Sequence, residues 1–227
     1  MKYVWRKIMS GFKLAIDGPA GSGKSTISAL IAKKLGWTHI DTGAMYRAVT
    51  LQAIELGVKL DDESSYHFLE TIHIHYDHDK IFIGDRDVSE AIRSESVTNN
   101  VSLVSSFPYV RRMLVDLQKK AAEHGNIIMD GRDIGTVVLP HANLKIFLTA
   151  NVEERAKRRY KENVKKGKTA HINQVIEDIV TRDQKDSTRK ESPLRKADDA
   201  ITLDTTHLTI DEVVNKIIEL TDKKENS

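Results

Sequence analysis

DGPAGSGKST, residues 17–26, follows the short apolar run Leu14, Ala15 and Ile16 and precedes a segment with Ile27, Leu30, Ile31 and Leu35 on one helical face. Gly18, Gly23, Lys24 and Ser25 fill every fixed position of the phosphate-loop pattern G-x-x-x-x-G-K-[ST], in the strand-then-helix context that the pattern needs. Glycines let backbone N–H groups turn inward around a phosphate, and the helix that follows presents its positive dipole end to the same anion. Lys24 then reaches the outer phosphates, and the Ser25 hydroxyl is placed for magnesium. The dinucleotide pattern G-x-G-x-x-G fits poorly, because Thr26 stands where its third glycine belongs.

Outward from this loop, residues 37–41 read as a second strand, and the Thr42-Gly43 turn leads into a helix over about 44–56. Residues 60–98 change pattern. Ile72, Ile74 and Tyr76 alternate with His73, His75 and Asp77, and Ile81, Phe82 and Ile83 precede the turn at Gly84, which reads as a small antiparallel insertion. His73 and His75 share a strand face with His78 nearby; an exposed polar face accounts for them without a metal, and they carry no assignment. A helix over 107–124 follows, with Val110, Leu114, Leu117 and Ala121 as its apolar stripe.

The run 126–129 is a buried-type strand whose end delivers Asp130, Gly131, Arg132 and Asp133, and 144–148 is another such strand. Residues 152–196 are rich in charge and hold Arg155, Arg158, Arg159, Arg182, Arg189 and Arg195. Two helices separated by residues 165–168 account for this stretch. It reads as a lid that folds arginines over a bound triphosphate, in preference to a solvated surface hairpin. A last strand at 200–203, a closing helix marked by Ile210, Val213, Val214, Ile217 and Leu220, and a frayed tail from Lys223 complete the chain. Such alternation of strands and helices argues for a parallel sheet with helices on both faces.

With 227 residues, 40% hydrophobic and 30% charged, the composition is that of a globular chain with one core and two insertions. No stretch approaches the roughly 20 apolar residues of a membrane span. Residues 1–11 form a basic N-terminal extension without the apolar centre of a secretory signal, and Met9 is a candidate alternative start. The absence of cysteine excludes a thiol nucleophile and disulfides and fits a reducing cytoplasm. A net charge of +2 from 35 basic and 33 acidic residues gives no argument for a nucleic-acid polymer as partner.

Five runs together resemble bacterial cytidylate kinases: the phosphate loop with Asp17 before it, IDTGAMYRA at 40–48, GDRDVSEAIR at 84–93, FPYVR at 107–111 and DGRDIGTVV at 130–138. The resemblance covers nearly the whole chain after about Phe12. It implies a three-layer P-loop α/β fold over 12–227 with a five-stranded parallel sheet, a β-containing monophosphate-binding insertion at 60–98 and a helical lid at 152–196. It implies transfer of the γ-phosphoryl of ATP to CMP and dCMP, with Mg²⁺, by a cytoplasmic monomer. Carried over position by position, Gly18, Pro19, Ala20, Gly21, Ser22, Gly23, Lys24, Ser25 and Thr26 hold the ATP phosphates. Arg47, Arg132 and Arg189 bind the acceptor phosphate with Thr42 beside them. Ser102, Arg111 and Asp133 read the cytosine edge, Asp186 meets the sugar hydroxyls, and Arg182 joins the closing lid. Lys24, Arg132, Arg182 and Arg189 form the catalytic set.

The residue chemistry points the same way. Phosphoryl transfer needs positioning and charge stabilisation more than a strong base, and the chain offers donors rather than a triad. Arginine's fork matches phosphate oxygens bidentately, so Arg47 and Arg132, each just beyond a strand end, are credible clamps. Cytosine presents an exocyclic amine, and a carboxylate such as Asp133 accepts from it. Asp130 is placed to hold magnesium with Ser25, although the sequence leaves open how Asp130 and Asp133 divide these roles. Two further readings stay open: a P-loop kinase of another small acceptor, such as a different nucleotide or shikimate, and a nucleotide-binding regulatory protein with slow turnover.

Overall fold

The computed structural model describes residues 11–77, 80–165, 167 and 169–226. Residues 1–10 of the N-terminal extension, His78, Asp79, Lys166, Lys168 and Ser227 of the expected tail lie outside the described residues. Five parallel strands form the central sheet: β1 (Lys13–Asp17), β2 (Thr38–Asp41), β6 (Ile127–Gly131), β7 (Leu144–Thr149) and β8 (Ile201–Asp204), in the order β2-β6-β1-β7-β8. The expected three-layer α/β fold with a five-stranded parallel sheet is therefore what the chain adopts.

The layers follow from the two-residue period of the strands. Leu14, Ile16, Ile128 and Ile146 point to one face, where they pack with Ile27 and Ile31 of α1 (Lys24–Leu35) and Val213, Val214 and Ile217 of α7 (Ile210–Glu225). Ala15, Ile40, Ile127 and Met129 point to the other, against α2 (Thr42–Glu55), α3 (Glu95–Val104) and α4 (Pro108–Ala121). Covering both faces buries the three central strands β1, β6 and β7, while the edge strands β2 and β8 stay partly exposed. The charged residues that end β1, β2 and β6 consequently emerge along one rim.

Within residues 60–98, a 3₁₀ segment at Glu63–Glu70 precedes a three-stranded antiparallel sheet of β3 (Ile74–Asp77), β4 (Lys80–Ile83) and β5 (Arg86–Asp87). The His73 and His75 rings lie tilted with centroids 4.9 Å apart, and His75 stacks on Phe82 at 5.2 Å. Among the described residues no group of three or more His, Asp or Glu is placed to hold a metal on its own.

The structure adds a helix, α3, at the end of the insertion and beyond it. Its sequence ESVTNNVSLV is poor in strong helix formers, and its helicity rests on Val97, Val101 and Val104, which share one buried face at helical spacing. The stretch 152–196 contains the two expected helices, α5 (Val152–Lys165) and α6 (Ile172–Thr188). The closing helix α7 runs on to Glu225, past the expected frayed start at Lys223, and a Thr209–Glu212 capping box fixes its other end. No described helix is long and apolar enough to cross a membrane.

Candidate active site

A cleft of about 1830 Å³ opens along the carboxyl rim of the sheet, the position at which open α/β sheets bind ligands. Ala20, Gly21, Ser22, Gly23, Lys24, Ser25 and Thr26 line it. So do Thr42, Arg47, Ser102, Arg111, Asp130, Arg132, Asp133, Arg182, Asp186 and Arg189. Gly18 and Pro19, expected to hold phosphate, are not among the residues that line it. A Cβ on Gly18 would sit 2.0 Å from the Leu148 carbonyl oxygen, so the loop leaves β1 only because that side chain is missing.

Lys24 is buried at the start of α1 and folds back over the loop, donating to the Pro19 carbonyl at 2.8 Å and to Ser22 Oγ at 3.3 Å. Burial, and next the Arg132 charge, lower its affinity for a proton well below the usual lysine range. Ser25 Oγ donates to Asp130 Oδ2 at 2.7 Å, joining the start of α1 to the end of β6. Thr42 Oγ1 donates to the Asp130 carbonyl at 2.8 Å.

The loop is also tied to α5 and α6. Asp183 of α6 accepts from the Ala20 amide at 3.0 Å and is ion-paired with Arg155 of α5, whose guanidinium also donates to the Ala20 carbonyl at 2.9 Å. Arg155 therefore serves as a strut between the loop and α6. Arg158, the next arginine along α5, donates to Thr205 Oγ1 and to the Thr205 carbonyl at 3.0 and 2.7 Å.

At the other end of the cleft the side chains come from scattered elements. Arg111 of α4 pairs with Asp133 at 2.5 Å, and its guanidinium lies 5.4 Å from the centre of the Tyr46 ring. Ser102 Oγ of α3 and Arg111 Nε are buried without a hydrogen-bond partner, as is Tyr46 Oη. Arg189, just after α6, approaches Asp133 at 3.6 Å and Asp186 at 3.9 Å.

Between the two ends, Arg132 Nε donates to Asp186 Oδ2 at 2.8 Å. Although burial opposes it, the Arg132 and Arg182 charges hold the Asp186 carboxyl below its usual range. Arg182 Nε is buried and unsatisfied, and burial followed by the Arg132 charge pushes its guanidinium down to about 10, which leaves it charged at neutral pH. Arg47 pairs with Asp41 at 2.9 Å, and Asp41 also caps α2 by accepting from the Ala44 amide. Crowding like charges into a buried cleft costs energy unless an anion offsets them.

Sequence reasoning did not single out Asp17 for a structural role. Its carboxylate accepts from the Ile134 and Gly135 amides at 2.8 and 2.7 Å, which pins the turn after β6 to the end of β1. His39, two residues before Asp41 and so on the same face of β2, contacts Asp130 Oδ1 at 2.6 Å. That two-residue spacing was the available signal for it.

Comparison with known proteins adds to this geometry. The family model described as cytidylate kinase matches residues 14–223. The chain is 63% identical over 212 residues to the cytidylate kinase of Acholeplasma laidlawii, covering 93% of this chain and 96% of that protein. It is 51% identical over 217 residues to that of Bacillus licheniformis, covering 93% and 96%. Among solved structures, an uncharacterized protein from Eubacterium ventriosum shares the fold with a TM-score of 0.51 at 12% identity, over 94% of this chain and 99% of that one. A match this close over nearly the full length of both sequences makes the chain a member of the cytidylate kinase family.

Proposed function

We propose that the cleft transfers the γ-phosphoryl of ATP to CMP, and to dCMP, giving the diphosphate and ADP. The observation that carries this reading is the pairing of a phosphate loop at one end of the cleft with the buried Arg111–Asp133 pair and the unsatisfied Ser102 hydroxyl at the other. The donor end suits a triphosphate and the acceptor end suits a flat base with an amine to donate. Asp133 accepts from the cytosine amine, while Arg111 and Ser102 supply donors to its remaining edge. Asp186 meets the sugar hydroxyls.

Four arginines stand where charge develops. Arg47, Arg132 and Arg189, with Thr42, hold the acceptor phosphate, whose attacking oxygen is already deprotonated near neutral pH. Lys24 follows the migrating phosphoryl, and the anion restores the positive charge that burial disfavours. Arg182 closes on the same group from the lid. Among the fully buried nitrogens, Arg47 Nε, Arg182 Nε and Arg189 Nη2 have no hydrogen-bond partner and can donate to phosphate oxygens. We take residues 152–196 as a lid that excludes water and 60–98 as the monophosphate-binding insertion of one domain over 12–227.

The oxygen donors Ser25 Oγ and Asp130 Oδ2, 2.7 Å apart, fit Mg²⁺, a hard cation that takes few protein ligands beside nucleotide phosphates. When bound it would offset the charge of the ATP phosphates. We take the chain to act as a cytoplasmic monomer. A coupled ADP-release assay with ATP, Mg²⁺ and CMP, dCMP, UMP, AMP, GMP or shikimate tests the proposal. CMP and dCMP should give turnover far above the control without acceptor, and equal rates with and without CMP would overturn it.

A further inference from the structure

Asp130 is only 2% exposed, and three elements other than its own strand hold it. Ser25 at the start of α1 takes Oδ2, Thr42 at the start of α2 takes the backbone carbonyl, and His39 on β2 takes Oδ1 at 2.6 Å. An ionised carboxylate only accepts, so this contact requires the N–H of His39 Nε2 as donor. Asp130 and Ser25 line the cleft, whereas His39 is not among its lining residues. His39 therefore stands behind the carboxylate and reaches a ligand only through it.

The two oxygens of Asp130 are gripped from opposite sides. With Oδ1 fixed by His39, the carboxylate plane cannot turn, and Oδ2 stays beside the Ser25 hydroxyl. We propose that His39 is a positioning residue that presents Asp130 and Ser25 as one preset pair of oxygen donors to the divalent cation of the bound triphosphate. The inference rests on Asp130 being the metal-holding carboxylate. Hydrogen-bonded supports of this kind tune metal affinity without touching the metal. A competing route exists, because Asp41 lies two residues from His39 on the same face of β2 and anchors Arg47 at the acceptor end.

The test measures binding instead of turnover. Mn²⁺ is titrated into the full chain saturated with ATP, and free Mn²⁺ is followed by electron paramagnetic resonance. His39→Phe keeps a ring of similar bulk and loses the donor, and should raise the Mn²⁺ midpoint about tenfold. His39→Gln carries an amide N–H that reaches the Nε2 position and should stay within about threefold of the parent. His39→Asn, one methylene shorter, should behave like His39→Phe and replaces it if the Phe variant does not fold. CMP affinity, measured calorimetrically without metal, should change less than twofold in all three.

A midpoint unchanged in a folded His39→Phe or His39→Asn variant would overturn the proposal. So would a CMP affinity that falls as far as the metal affinity, which would place the role at Asp41. A Gln variant as impaired as the Phe variant would do the same. Asp130→Asn separates the two layers. If it leaves the Mn²⁺ midpoint unchanged, the metal reading of Asp130 fails; if it raises the midpoint while His39→Phe does not, only the role of His39 fails.

Discussion

The two ends of the cleft are built on opposite principles. The donor end is one continuous run, residues 17–26, in which glycines and a helix start turn backbone N–H groups toward an anion. The acceptor end has no such run. Arg47, Ser102, Arg111, Asp133, Asp186 and Arg189 come from α2, α3, α4, the turn after β6, and α6 with its exit. A backbone site is specified locally and tolerates little; a side-chain site is specified by the fold and its members constrain one another through ion pairs. Substitutions at the two ends should therefore fail in different ways.

The largest effect is expected at the donor end. Lys24→Met should cut kcat about a thousandfold, the scale for losing one preorganised charge. Thermal stability should hold or rise, because the lysine is buried and its charged form is disfavoured there. Steady-state rates together with a thermal melt check both. A variant that melts early would show that the donor end is held together by side chains after all.

Arg132 joins the two ends and should show a mixed response. Arg132→Ala should lower kcat a hundredfold or more and also lower the melting temperature by several degrees, since it leaves Asp186 buried without its partner. Adding Asp186→Ala should recover stability but not rate. If rate returned as well, Arg132 would be structural and the division between charge stabilisation and ion pairing would collapse.

Asp133→Ala probes the acceptor end alone. The KM for CMP should rise roughly 10- to 100-fold, the worth of one good base contact, with the KM for ATP changed less than threefold. Equal rises in both would remove Asp133 from base reading. The buried Arg111 left behind makes a loss of stability the expected accompaniment.

The same contrast explains what the sequence could disclose. The phosphate loop, the alternation that gives a parallel sheet and the charged end of β6 were legible because each is encoded within about ten residues. Helix α3 was not, because ESVTNNVSLV has weak helical preference and is stabilised by burying Val97, Val101 and Val104 against neighbours distant in sequence. The residues expected at the acceptor end could be singled out, but the pairings in the cleft could not. Arg111 meets Asp133 across 22 positions, Arg132 meets Asp186 across 54, and Ala20 meets Asp183 across 163. Arg155 illustrates the limit, since it reads as one lid arginine among several and folds into a strut beneath the phosphate loop.

Asp17 belongs to the donor strand yet holds the first turn of the acceptor segment, so it tests whether the two ends are one unit. Burial raises its carboxyl from 3.8 to about 6, against the pull of the Gly135 and Ile134 amides that it accepts from. Between these values the folded chain keeps the proton that the unfolded chain has released. The stabilising contribution of the protonated form is thus complete below about pH 4 and is lost as pH rises through about 6. A shift of roughly two units corresponds to about 3 kcal/mol. Asp17→Asn has no such dependence, although its amide can accept only one of the two N–H bonds. Urea unfolding from pH 4 to pH 8 should therefore show the parent losing about 3 kcal/mol relative to Asp17→Asn across that range. Parallel stability curves would mean that the carboxylate is solvated in the folded chain, and the joint between β1 and the turn at Ile134 and Gly135 would be looser than its two hydrogen bonds indicate.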